Sequence, residues 1–479
     1  MNPITIPNIT IPVIGLPTIG IPSVGFPSAS GGGLAWPAGL KESIKAIYDP
    51  AKQGMTNYDV IESYAEDFSK FPWNNNNKKE KYTGTLTPNT LTITNVAVTS
   101  ALIYTNSKPE NFKVYITGIK DNQQVIFGDD TSPYRALIVE KDGVYDVNWE
   151  DNHHSYCIWC NFLGDCNITI TQLPTSILKD LSGNGNHAYL YGGKGKLNSG
   201  MGVYKFDFLS DLLINSAYLP YTERQYDSIC SLAGHPNGWL FQYKSLTDIP
   251  TFKIEVKGIV NDKFHYRWYD ENGNRGVDFV IDKDGIYEFP MSYSVETNTG
   301  VGIVCNNICQ DNVCFTQIPD YPNQLCYDGK MYAVCYGFPI LTDYTVMAER
   351  TWFKNKGSYA FISKRTIGNI MGNAFVFEKD DNTGTPNSLR VYSFGAESII
   401  MPNKNNSISY QTKTKYNNQN IRYGGNKDSS ILMIGAGLYR SDQNLITELW
   451  SGCHGAIIIA DRSFTEDEIT WLKDNWKKI

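Results

Sequence analysis

Two stretches of this chain repeat each other, and the repeat constrains its architecture more than any other feature. Phe112-Lys-Val-Tyr-Ile-Thr-Gly-Ile119 lines up with Phe252-Lys-Ile-Glu-Val-Lys-Gly-Ile259. Residues 138–147, IVEKDGVYDV, line up with 280–289, VIDKDGIYEF, and both hold Lys-Asp-Gly with a Tyr two positions on. Residues 160–174 align without a gap with 305–319, six of fifteen identical. The offset drifts from 140 (252 against 112) to 142 (280 against 138) to 145 (305 against 160), as loop insertions between strands would cause. Most of these segments alternate apolar and polar residues, and the Asp-Gly steps suit turns. Each copy is therefore expected to be a small antiparallel β-sandwich, near 78–175 and 211–325. Two copies are too few for a solenoid.

Composition supports an all-β chain. Its 479 residues leave room for about three domains. Charged residues are 19%, below the usual share of about 25%, while aromatics reach 13% and Gly stands at 41. Tyr, Thr, Asn and Gly carry the polarity, which suits strands and turns. A net charge of −7 and a pI near 5.5 argue against nucleic-acid binding. No apolar run reaches eighteen residues, so no membrane insertion by a helix is expected.

The N-terminus is unusual. Pro7, Pro12, Pro17, Pro22 and Pro27 recur every five residues, with Ile11, Leu16, Ile21 and Phe26 directly before four of them. Proline fixes φ and removes the amide donor, so an extended ribbon is expected, neither helix nor central strand. Such a ribbon cannot bury its own apolar side chains. Left bare it would be an aggregation hazard. Residues 1–30 are thus expected to be an assembly anchor, with Ser28–Gly33 as a flexible joint. The first basic residue is Lys41, so the segment lacks the n-region of a signal peptide. Assembly in the cytosol is expected, with the ten Cys starting as thiols and no disulfide framework.

Beyond the joint, Ile61, Tyr64, Ala65 and Phe68 fall at helical spacing, with Asn57 as N-cap, which predicts a short amphipathic helix within a 34–77 linker. Strands are expected at AYLY (188–191), DYTVMAERTWF (343–353), YAFISKR (359–365), NAFVFEK (373–379), SLRVYSF (388–394), ILMIGAGLY (431–439) and GAIIIADR (455–462). Thr465 and Glu468 form a capping box, and Phe464 with Ile469 a hydrophobic staple, for a C-terminal helix whose buried stripe is Ile469, Leu472 and Trp476.

Lys179-Asp-Leu-Ser-Gly-Asn-Gly-Asn-His187 resembles the opening signature of concanavalin-like (laminin-G-like) jelly-roll domains. Arg462 to Ile469 resembles their closing strand and helix. The resemblance implies a jelly roll over 176–210 and 326–479, interrupted by the second small module. The whole arrangement is similar to head fibre proteins of crAss-like bacteriophages. That likeness implies a virion protein on the capsid surface, assembled in the host cytoplasm and held to capsid or other virion proteins through residues 1–30. It also implies a homotrimer and lectin-like domains that contact glycans. A receptor-binding tail fibre, a surface lectin and a glycosidase are the alternatives.

Chemistry is sparse. Cys157 and Cys160, with Cys166 and His153-His154 nearby, invite a zinc reading, but their odd spacing in a strand points them to opposite faces. The second module has Cys305, Cys309 and Cys314 without an adjacent His. Gly192-Gly-Lys-Gly-Lys196 lacks the Lys-Ser/Thr pair of a phosphate loop and reads as a surface hairpin. Glu378-x-Asp380-Asp381 is the nearest thing to a glycosidase carboxylate pair. His454 is a lone candidate base, and Trp159, Trp239 and Trp268 are either sandwich core or sugar platforms. No catalytic, metal or cofactor site is expected.

Overall fold

The structure, a computed structural model, describes residues 34–56, 59–70, 72–73, 78–194, 222–225, 228–243, 248–293, 300–353, 359–367, 372–380, 388–401, 407–440 and 445–479. The expected anchor residues Pro7, Ile11, Pro12, Leu16, Pro17, Ile21, Pro22, Phe26 and Pro27 lie outside them, as do Gly195 and Lys196 of the hairpin expected over 192–196. Strands account for 49% of the described residues and helix for 5%, so the fold is all-β.

Its largest unit is a jelly-roll sandwich of a seven-stranded and a ten-stranded sheet. In the first sheet, Ser451–Ala460 pairs antiparallel with Ile44–Tyr48, Thr345–Trp352 and Leu325–Asp328. In the second, Ala188–Tyr191, Tyr332–Tyr336, Ile431–Ile434, Ala360–Ile367, Gly372–Asp380, Leu389–Ser393 and Ala396–Ile400 run side by side. Val346, Ala348, Ile457 and Ile459 from one sheet meet Leu190, Ala333, Phe361, Phe375, Leu432 and Ile434 from the other in a single core. All ten residues of Ser451–Ala460 are buried, because its outward side chains are covered too. The helix Glu466–Asn475 lies across that outer face. Its Ile469 and Leu472, with Trp476, pack on Ile44, Ile47, Met347, Tyr410 and Ile458. The capping box is present: Glu468 N–H donates to Thr465 Oγ1 at 3.2 Å, and Thr465 N–H to Glu468 Oε2 at 2.8 Å.

The matched stretches occupy matched places in two smaller sandwiches. One five-stranded sheet runs Tyr82–Leu86, Thr90–Val96, Gly164–Gln172, Phe112–Thr117, Gly143–Val147. The other runs Thr222–Gln225, Ser228–Ser231, Val313–Ile318, Phe252–Lys257, Gly285–Phe289, in the same order. Their four-stranded partner sheets correspond strand for strand as well. The shared Lys-Asp-Gly-x-Tyr has a mechanical reason. Asp142 and Asp284 accept the amides of Ile119 and Ile259 at 2.9 and 2.8 Å. Tyr145 and Tyr287 donate their hydroxyls back to the Lys141 and Lys283 carbonyls at 2.7 and 2.6 Å. Gly118 and Gly258 stand at φ of 90° and 98°, where a side chain would strike the Asn167 or Asn312 carbonyl.

Residues 59–70 correct the helix expectation. The segment is an extended strap, not a helix. Its backbone is held from outside: Glu62 N–H donates to the Gly193 carbonyl, Thr175 N–H to the Ser63 carbonyl, and the Gln172 amide brackets Glu66 at 2.9 Å on each side. Phe68 enters the first small core while Ile61 is 45% exposed, so the helical spacing serves two different neighbours. Tertiary contacts outweigh local periodicity here. The expected cap, Asn57, is outside the described residues.

The lectin-like signature has a structural task. Ile44–Tyr48 is an edge strand, and the 179–187 loop closes its open side. The Asp180 carboxylate accepts the amides of Ile47 (3.0 Å), Ser182 (2.9 Å) and Asn186 (3.0 Å). Leu181 N–H donates to the Ile47 carbonyl at 2.7 Å, and the Asn186 and Asn184 amides donate to the Lys45 and Ile44 carbonyls at 2.7 and 2.9 Å. Covering an edge this way blocks unwanted strand pairing. Replacing Asp180 by Ala strands three amides, and a loss of about 2–3 kcal/mol is expected in urea unfolding, with Asp180→Asn intermediate.

Candidate functional site

The carboxylate singled out from sequence is not at a surface. Glu378 sits at a bulge in Gly372–Asp380, with φ of 61°, which turns its side chain into the sandwich. There it meets Arg350 of the opposite sheet, and both side chains are fully buried. Arg350 donates from Nε (2.7 Å) and Nη2 (2.6 Å), Trp352 Nε1 donates at 2.9 Å and the Tyr416 hydroxyl at 2.6 Å. Burial works against the guanidinium's charge, but the facing carboxylate outweighs it and its pKa is raised. The group is shut off from solvent. The network ties the two sheets together.

A second buried pair, Lys364 and Asp428 at 3.1 Å, lies under the Phe338 ring. Burial lowers the lysine's pKa and raises the aspartate's. His454 is also buried. Its Nε2 is 3.1 Å from the Tyr327 hydroxyl and its Nδ1 is 2.7 Å from the Gly455 carbonyl, so it is a core histidine. Desolvation pulls its pKa down to about 4.

The metal and sugar candidates resolve similarly. Among the described residues, no three His, Cys, Asp or Glu side chains converge on a metal position. Cys157 and Cys160 are buried in the first module, and His153 stacks on Tyr134 at 3.5 Å. Cys230 and Cys314 form a disulfide, a single bridge in a chain whose cysteines are expected to start as thiols. The two face each other on neighbouring strands, a relation that cysteines 84 residues apart do not reveal in sequence. Trp159 is buried under the Arg135 guanidinium, at 4.6 Å, and Trp239 lies beneath Arg267 at 5.3 Å. Half-buried Trp268 donates to the Val277 carbonyl at 3.0 Å and packs on the second small core.

The sandwich's broad faces are largely occupied from within the chain. The terminal helix covers the seven-stranded sheet. Tyr115 and Val144 of the first module pack on Tyr189, Val334, Met433 and Tyr439 of the ten-stranded sheet, and Tyr115 stacks on Tyr336 at 4.3 Å. Sequence reasoning missed this docking, although an aromatic at position 115 opposite Glu255 in the repeat was its visible trace.

An open concavity remains at the edge where the chain emerges from residues 1–33. It has a volume of about 340 Å³. Its lining is Leu34, Trp36, Ile44, Ile47, Leu181 and Ile479, with Lys41, Ser182 and Lys478 at polar positions. Trp36 is fixed there by Trp471 of the terminal helix, their rings 5.1 Å apart. Leu34 and Ile479 therefore meet on one concavity with a mixed polar and apolar lining.

No family model and no curated protein matches this chain. The full extracellular region of zebrafish Gpr126/Adgrg6 aligns at 11% identity over 51% of this chain and 36% of that one, with a TM-score of 0.20. Trypanosoma rangeli sialidase in complex with sialic acid aligns at 9% identity over 83% of each chain, with a TM-score of 0.24. A truncated AlyQ with CBM32 and alginate lyase domains aligns at 9% over 84% of this chain and 100% of that one, with a TM-score of 0.14. At such TM-scores the likeness carries no argument about function.

Two outcomes follow from the buried groups. Arg350→Met leaves the Glu378 charge buried and should cost about 3–5 kcal/mol in chemical denaturation, whereas adding Glu378→Gln should restore at least about 1 kcal/mol. His454 has a folded pKa below its unfolded value of about 6.5, so its stabilising contribution is full above that pH and is lost as pH falls towards 4. Up to about 3 kcal/mol should disappear across that window. His454→Gln should flatten the fall in melting temperature between those limits.

Proposed function

We propose that this chain is a structural virion protein: a fibre anchored on a bacteriophage capsid by its N-terminal segment, projecting lectin-like and small β-sandwich modules. The observation that supports this reading is the apolar, proline-punctuated segment itself, which joins the body beside a concavity lined by Leu34, Trp36 and Ile479. Proline-rich apolar ribbons gain affinity by lying in grooves, with many shallow contacts and no helix to form first.

On this reading the protein is not an enzyme. Its best carboxylate candidate is held by four donors from three side chains inside a core. Glycan contact, if the fibre makes it, belongs to loop tips and module surfaces, because the broad faces of the jelly roll are engaged in packing. Clustering of three chains would turn weak sugar contacts into avidity. A tail fibre would share the same body and differ only in where the anchor docks.

The test is capture by fibre-less capsids of the full chain and of a chain lacking residues 1–33. Capture of the full chain alone is expected. Equal capture of both moves the attachment to the sandwich modules, and capture of neither moves it away from the capsid.

A further inference from the structure

Six of the chain's ten cysteines stand in twos. Cys230 and Cys314, already bonded, sit opposite each other on Ser228–Ser231 and Val313–Ile318. Cys326 and Cys453 hold the same relation on Leu325–Asp328 and Ser451–Ala460. Directly opposed residues on antiparallel strands lie about 4.5–5.5 Å apart at Cα, inside the reach of a disulfide. Both side chains are buried with their thiols in contact, and Cys453 donates to Gln324 Oε1 at 2.9 Å. A third facing set lies at the end of the second small sandwich. Cys309 donates its S–H to Cys305 Sγ at 3.2 Å, and Ser231 Oγ donates to Cys309 Sγ at 3.4 Å.

Three of the four remaining thiols have other contacts, and the fourth, Cys160, is buried with Cys166 as its charged-state neighbour. Cys157 approaches Asp130 and Ser155 at 3.5 Å, Cys166 the Ile93 carbonyl at 3.3 Å, and Cys335 the Tyr336 carbonyl at 3.9 Å. Nor are the facing pairs parts of a chelate, since no third ligand joins them among the described residues.

We infer that Cys305–Cys309 and Cys326–Cys453 are disulfide sites that close when the folded protein meets an oxidising environment, giving three bridges with Cys230–Cys314. The oxidant is an external disulfide of the glutathione type. One protein thiolate attacks a sulfur of that disulfide and expels a thiolate. The second protein thiol gives up its proton and attacks the resulting mixed disulfide, expelling the other external thiolate. For each bridge, two protein thiols lose two electrons and two protons, and one external disulfide becomes two thiols.

At the 305–309 site the first attacker is Cys305. The hydrogen bond that it accepts from Cys309 holds its pKa below the ordinary thiol value, while Cys309 is raised, chiefly by donating that bond. Cys305 ends its strand beside a loop, whereas Cys326 and Cys453 lie within the seven-stranded sheet. Closure should therefore be faster at 305–309, where a small local opening admits the oxidant.

The full chain, with Cys230–Cys314 closed, is treated with oxidised glutathione, quenched with an alkylating agent in denaturant, and its labelled cysteines counted by mass spectrometry. Eight labels before oxidation should fall to four, on Cys157, Cys160, Cys166 and Cys335. Cys309→Ser should keep Cys305 labelled, and Cys453→Ser should keep Cys326 labelled, each leaving the other bridge intact. Eight labels after oxidation overturn the inference. Label retained on one facing pair overturns it for that pair, and bridges joining any other cysteines overturn the pairing itself. The count does not depend on where the fibre attaches, so its failure and failure of the capsid reading are separate results.

Discussion

The strand Ser451–Ala460 is the member on which the large sandwich depends. Its ten residues are buried on both faces, which a sheet tolerates only when something lies on each side. Ile457 and Ile459 face the core between the sheets, while Ala456, Ile458 and Ala460 face away from it. The terminal helix answers that second requirement. Burying Ile469, Leu472 and Trp476 there contributes on the order of 1.5–3 kcal/mol for each large side chain. Ile44 and Ile47 of the neighbouring edge strand join the same cluster, so the beginning and end of the described chain complete one layer.

Much of this was legible in the sequence because it is local. The capping box at Thr465 and Glu468, the strand runs and the repeated Lys-Asp-Gly-x-Tyr need only a few consecutive residues to state their case. The repeat was readable for a deeper reason: a carboxylate capping an amide and a tyrosine returning to its own turn are contacts that tolerate little substitution. What failed was local grammar overruled from a distance. Ile61, Tyr64, Ala65 and Phe68 keep a helix's spacing, yet the segment's backbone bonds outward, Glu62 to Gly193, Ser63 to Thr175, Glu66 to Gln172 and Phe68 to Pro88. The facing of Cys230 with Cys314 depended on register, which no single stretch encodes. Glu378 was visible as an acid but not as a buried one, because its inward turn comes from a bulge and its partner Arg350 lies on the other sheet.

The 179–187 signature shows how a motif can mark a fold without marking a ligand site. Its Asp, Asn and Gly residues are what mark the opening of a jelly roll in sequence. In the structure their polar atoms are spent on the edge of Ile44–Tyr48, with Gly183 and Gly185 at positive φ to let the loop turn back. The first small module does something similar on the other sheet, where its Tyr115 and Val144 cover tyrosines that would otherwise form an aromatic face. The second module has Glu255 and exposed Ile286 at the equivalent places and makes no such cover in the described contacts.

The placement of Ile44–Tyr48 also decides how the body bears load. A pull on the chain ahead of Leu34, directed along this strand, reaches it through the Trp36–Trp471 contact and the short helix Leu40–Ser43. The rungs joining it to Ser451–Ala460 lie across that direction, as do the bonds from Asp180, Asn184 and Asn186 on its other side. Such a strand is loaded in shear from both edges at once, so its rungs must yield together instead of opening singly like a zip. The same strand that seals the sandwich is thereby its mechanical clamp.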